Sequence, residues 1–201
     1  GRVQPPRWPT ALGFQPRGDL VLPPDYRGDA KLPLIIVQYH SDGFLRGGTG
    51  DEYPIFAFAA RGYAVLSIEQ PLFFARTLAG INDWKEANRQ NGIGWRERRS
   101  LLSSIDAAVD LVVEMGVPDP SRIGITGLSD GATSVQFALI NSTRFAAAAM
   151  SSCCIDPMTV MYYGGPRWAK ELRRRGYPKA SAVDAGFWAP MSLALNPSRI
   201  D

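Results

Sequence analysis

Five residues, Gly127-Leu128-Ser129-Asp130-Gly131, have the types and spacing of a serine nucleophile held at a sharp turn. The G-x-S-x-G spacing has a steric reason. A serine in strained backbone between a strand and a helix needs neighbours without bulk two positions away on either side, and Gly127 and Gly131 meet that need. The flanking residues supply the context. Arg122 to Thr126 is a short apolar run rich in β-branched residues, as a buried parallel strand should be. Asp130 to Ile140 carries Ala132, Val135, Phe137, Ala138 and Leu139 in a mostly helical pattern. A helix starting here aims its N-terminal N–H groups at the place where an attacked acyl group would gather negative charge. The pentapeptide alone also occurs in ordinary Gly-rich turns. Strand, turn and helix together favour the nucleophile.

Composition narrows the function classes. The chain has 201 residues, enough for one domain with a sizeable core, and its 45% hydrophobic and 20% charged residues are those of an ordinary globular protein. A net charge of +3, with no basic stretch interleaved with stacking aromatics, gives no expectation of nucleic-acid binding. Arg173-Arg174-Arg175 reads as a solvated helix face. No apolar run approaches the roughly 20 residues that span a bilayer, and Arg2 and Arg7 are followed by no apolar signal region, so no membrane association is expected. The two cysteines, Cys153 and Cys154, are adjacent; they make neither a disulfide framework nor a zinc site, and no cofactor is expected.

The elements that must position Ser129 follow in order. Residues 1–18, with four prolines and the aromatic residues Trp8 and Phe14, read as a linker or an entry arm. Leu20 to Leu22 reads as a short edge strand, and Leu32 to Tyr39 is the strongest strand signal, apolar on both faces. A Gly-rich loop follows from His40 to Asp51. It is too long for a simple connection, and such loops are often functional. Pro54 to Ala60 is a short helix and Tyr63 to Ile68 a buried strand. Residues 72–94 show no clean period and read as a surface excursion. Trp95 to Met115 is a long amphipathic helix stopped at Gly116. Phe145 to Ser152 is a strand of small residues, as if packed tightly on a helix, and 153–190 reads as a cap-like segment with either a substrate-facing or a plainly packed apolar surface. Alternating strands and helices imply an α/β fold, a mostly parallel sheet with helices on both faces, whose ligands bind at the carboxyl ends of the strands.

The order strand, Gly-rich loop, strand, long helix and GLSDG elbow resembles the catalytic domain of prolyl oligopeptidase-type serine peptidases, which have the α/β-hydrolase fold. QYHSDGFLRGGTGDEYPI at 38–55, followed by ARGYAVLS at 60–67, resembles more closely the lasso-peptide isopeptidases of that family. The resemblance covers about residues 18–201, with 19–201 as a partial catalytic domain. It implies acyl transfer from a peptide or isopeptide bond through an acyl-enzyme on Ser129. The oxyanion would be held by the Asp130 N–H and by a donor from the Gly-rich loop, either Tyr39 or Ser41. Gly43, Phe44, Asp51 and Glu52 are the candidate substrate-binding residues, the two carboxylates suiting a basic group; a hydrogen-bonded loop scaffold explains the carboxylates equally. The family also implies a cytoplasmic location and a peptide partner, a lasso peptide among the candidates.

One departure stands out. A serine hydrolase on this fold takes its acid and then its histidine from residues after the nucleophile, yet the only histidine, His40, precedes Ser129. Without a base the serine remains a protonated alcohol and attacks poorly. The chain therefore reads as a fragment, truncated before its C-terminal strands, whose missing segment carries the acid and histidine; His40 as a substitute base is the lesser reading. Two alternatives remain: a generic esterase or acyl hydrolase, and a non-catalytic peptide-binding module.

Overall fold

The computed structural model describes residues 2–3, 17–39, 54–71, 74–151, 163–178 and 185–199. Among them, six strands form one sheet: β1 (Arg2–Val3), β2 (Arg17–Val21), β3 (Leu32–Tyr39), β4 (Ala64–Glu69), β5 (Pro118–Leu128) and β6 (Ala147–Ser151), in the order β1-β2-β4-β3-β5-β6. β4, β3, β5 and β6 run parallel, while β2 pairs antiparallel with β4 and β1 antiparallel with β2. The sequence expectation of an edge strand at Leu20–Leu22 is corrected here. Val21 ends a longer strand, and Arg2–Val3 lies on its outer side.

Helices cover the sheet unevenly. On one face lie α3 (Arg96–Glu114) and α4 (Asp130–Asn141), preceded by the shorter α2 (Trp84–Gly92). Strand side chains alternate between faces, so Leu34 and Ile36 of β3, Leu66 and Ile68 of β4, and Ile123 and Ile125 of β5 meet Ile105, Ala108, Val109 and Val112 of α3 and Val135 and Ala138 of α4. Each fully buried Leu or Ile here contributes about 1.5–3 kcal/mol. Gly116, at φ +76, turns the chain out of α3 in a conformation that suits glycine, and its N–H reaches Val113 O at 2.9 Å. On the opposite face, among the described residues, α1 (Ile55–Ala60) packs, burying Val21, Val37, Ile55, Ala59 and Val65.

The strand expected at 145–152 forms as β6, but it is not tightly covered: Ala147, Ala148 and Ala149 are exposed. An apolar groove of about 460 Å³ opens there, with Ile35, Phe58, Tyr63, Thr126, Ala147 and Ala149 in its walls.

Beyond β6 come α5 (Gly165–Arg174) and α6 (Ala185–Trp188). Trp188 and Met191 are buried with Trp95, Phe137 and Leu172. Polar groups tie this stretch to α4: Gln136 Nε2 donates to Met191 O, Asn141 Nδ2 to Pro190 O at 2.8 Å, and the Arg199 guanidinium to Ile140 O at 2.9 and 3.1 Å. The region read as a surface excursion is ordered as a 3₁₀ turn, Phe74–Thr77, and as α2, whose N-cap Asp83 accepts from the Glu86 N–H at 3.0 Å.

Candidate active site

Ser129 stands where β5 passes into α4, half-buried, with φ 54° and ψ −118°. A non-glycine residue in this region is strained, and the surrounding contacts hold it there. A Cβ added to Gly127 would lie 2.3 Å from Gly131 O, so the turn closes only because both positions lack side chains. Gln38, buried at the end of β3, braces the turn from beneath: its Nε2 donates to Gly131 O at 2.8 Å and to Thr126 O at 3.3 Å. The Ser129 N–H donates to Ser151 O at 3.1 Å, which ties the elbow to β6. α4 starts at Asp130, so the Asp130 N–H belongs to the first turn, where N–H groups have no partner within the helix.

Tyr39 ends β3 with φ 120°, a second strained non-glycine residue, and its Cβ lies 3.0 Å from the position of a Cβ on Gly131. The structure thus brings Tyr39 and Asp130, both expected around the oxyanion, to one place, and both line a single cleft of about 250 Å³. Ser41, Gly43, Phe44, Asp51 and Glu52, like His40, Cys153 and Cys154, lie outside the described residues.

The rest of the cleft was not foreseen from the sequence. Its walls include Gln70 just after β4, Trp84, Asn88 and Asn91 of α2, Trp95, Glu97 and Arg98 at the start of α3, and Arg175 and Tyr177 just beyond α5. The Arg98 guanidinium forms a two-pronged ion pair with the Asp130 carboxylate, one prong at 2.9 Å, and donates to Ser134 Oγ at 2.8 Å. Burial works to raise the pKa of Asp130, but the charge and hydrogen bonds of Arg98 outweigh it and hold the carboxyl below its usual range. Glu97 behaves oppositely. Burial pushes its carboxyl up, even though Oε2 accepts the Phe74 N–H at 2.6 Å. A sequence signal for Arg98 existed. Three arginines in the first turn of α3 run against the helix dipole, so one of them needs a tertiary partner. Of the three arginines at 173–175, Arg173 and Arg174 are exposed, whereas Arg175 turns over Trp168, meets Glu171 at 3.3 Å and reaches the cleft. The aromatic residues after β6 divide in the same way: Trp188 is core, and Tyr177 lines the cleft.

A strained serine between two glycines, at the carboxyl ends of parallel strands and at a helix N-terminus, has the geometry of the nucleophile elbow of the α/β-hydrolase fold. Residues 96–195 match the prolyl oligopeptidase family, which is the family of serine peptidases that this part of the chain belongs to. Lasso peptide isopeptidase AtxE2 of Asticcacaulis excentricus is 47% identical over 189 residues, covering 94% of this chain and 27% of its own length. The solved structure of AtxE2 isopeptidase superimposes with a TM-score of 0.89 at 44% identity, covering all of this chain and 30% of that one; a serine-to-alanine variant of it with Astexin3-dC4 bound superimposes equally well. A puromycin-hydrolyzing peptidase of Mycobacterium tuberculosis shares the fold, with a TM-score of 0.65 at 17% identity over 98% of this chain and 29% of its own. The chain thus spans little more than a quarter of the length of the curated relative it matches. No helix among the described residues is long and apolar enough to cross a membrane.

Proposed function

We propose that this chain is the nucleophile-bearing part of a serine isopeptidase that opens the side-chain-to-N-terminus bond of a threaded peptide. The observation that carries the chemistry is the backbone of Ser129: a binding module has no use for a serine held at φ 54° against Gly127 and Gly131. The substrate class rests on the 47% identity to a lasso peptide isopeptidase. Ser129 Oγ attacks the carbonyl carbon and forms an acyl-enzyme, the leaving amine takes up a proton, and water then releases the acid. The Asp130 N–H and a donor at Tyr39 or Ser41 hold the oxyanion. Gly43, Phe44, Asp51 and Glu52 contact the peptide, and a cytoplasmic location belongs to the same reading.

The acid and histidine come from a segment C-terminal to Asp201. Two features support this: no histidine follows Ser129, and the apolar groove along β6 offers a further strand and helix a surface to cover. The test is labelling by a fluorophosphonate, read by mass spectrometry at Ser129. It compares the 201-residue chain with the polypeptide extended through its next histidine. Labelling of the extended form alone, lost in Ser129→Ala, is the expected result. Equal labelling of both forms would place the base within these residues and make His40 the first to replace. Cleavage of p-nitrophenyl esters but not of lasso peptides would turn the reading toward a general acyl hydrolase.

A further inference from the structure

We infer that Arg98 is a positioning residue for acyl transfer, neutralising the Asp130 carboxylate so that the N–H of the same residue can stabilise an oxyanion. This rests on the reading of Ser129 as nucleophile.

The difficulty that Arg98 resolves is built into the GLSDG turn. Asp130 carries its carboxylate on the same residue as the N–H proposed to meet the attacked carbonyl oxygen, and it lines one cleft with Tyr39, so its negative charge stands in the neighbourhood where that oxygen would become negative. In a half-buried cleft that repulsion is screened less than in bulk water and opposes the transition state. Asp130 cannot escape by protonation, since its carboxyl is held ionised below its usual range. Arg98 answers with geometry as well as charge. Both guanidinium prongs meet both carboxylate oxygens, and the same guanidinium reaches Ser134 Oγ one helical turn on at 2.8 Å. Ser134 Oγ in turn lies 3.3 Å from Asp130 O, so the first turn of α4 is fastened at side chain and backbone together. The Arg98 side chain is only 13% exposed, against 40% for Asp130, so the pair is open toward the carboxylate and shielded behind the arginine. Arg98 comes from α3, the long helix seated on the sheet, so the charge is fixed in place before substrate arrives.

The inference separates Arg98 from a plain structural ion pair by what happens when the carboxylate is removed too. In the extended polypeptide, Arg98→Met should slow fluorophosphonate labelling and the kcat for isopeptide cleavage by about 100-fold, the scale of losing one oxyanion donor, with little change in KM. Arg98→Met combined with Asp130→Asn, which keeps the backbone N–H and abolishes the charge, should recover at least about tenfold of that loss. Arg98→Lys, a charge without the fork, should fall between the parent and Arg98→Met. Thermal unfolding of each variant separates loss of fold from loss of rate. A double variant as slow as Arg98→Met, at a melting temperature that allows folding, would overturn the inference, as would Arg98→Met labelling at the parent rate. If the parent itself fails to label at Ser129, the nucleophile reading fails first and takes this inference with it.

Discussion

The two faces of the sheet differ in what covers them. Under α3 and α4, Leu34, Ile36, Leu66, Ile123 and Ile125 are sealed from solvent, and from this face come the braces of the elbow, Gln38 from β3 and Arg98 from α3. On the other face α1 covers Val37 and Val65, but the surface toward β6 is open, with Ala147 and Ala149 exposed beside half-buried Gly124 and Thr126. The closed face is therefore the one that holds the backbone geometry of Ser129. The open one, among the described residues, leaves the small side chains of β6 facing a groove.

Substitutions can break that contrast, starting with the largest effect. Gly127→Ala puts a Cβ 2.3 Å from Gly131 O with no flexible side chain to yield, and should cost more than about 4 kcal/mol or abolish folding, read by urea unfolding. Next comes a matched pair. Leu66→Ala on the closed face should cost about 2–5 kcal/mol. Ala149→Glu on the open face should stay within about 0.5 kcal/mol in the 201-residue chain. In the extended polypeptide, where the proposed segment buries this position, the same glutamate should become strongly destabilising. Equal tolerance in both forms would leave the open face uncovered.

A smaller effect sharpens the comparison at the rim of the cleft. Burial raises the pKa of Glu97 in the folded protein above its ordinary value of 4.5. The folded state then binds the proton more tightly than the unfolded one. Stability contributed by the protonated form is complete below the ordinary value and is lost as pH rises toward the elevated one. Glu97→Gln, which keeps an oxygen to accept the Phe74 N–H, should remove that loss: the variant gains on the parent as pH rises above the ordinary value of 4.5, read by thermal unfolding across a pH series. An unchanged difference across that range would mean the carboxyl titrates normally.

Much of the closed face was legible from sequence because its signals are local and repeated. The β-branched run at 122–126, the three-and-four spacing of Leu101, Ile105, Ala108 and Val112, and the two glycines around Ser129 each state their conformation within a few residues. The cleft was not legible, because it is assembled from residues far apart in sequence. Arg98 and Asp130 are separated by 32 positions, and Trp95 and Phe187 by 92. α2 was missed for a different reason. Its buried surface is almost nothing, so it has no apolar stripe, yet Asp83 with Glu86 three residues on was a capping signal in plain view. The exposure of β6 could not be read at all. A run of alanines fits a helix lying on it now or a partner arriving later.

The tryptophans around the cleft have an optical consequence. Trp95 is 4% exposed, its indole N–H donates to Phe187 O at 2.7 Å, and the Trp188 ring lies 6.2 Å away, while Trp84 on the cleft wall is 56% exposed. A shielded indole emits at shorter wavelength than a hydrated one, and two rings this close exchange excitation. Among the described tryptophans, the Trp95–Trp188 pair is thus shielded behind the cleft while Trp84 and Trp168 are exposed, and a ligand that covered Trp84 would shift the exposed emission to shorter wavelength.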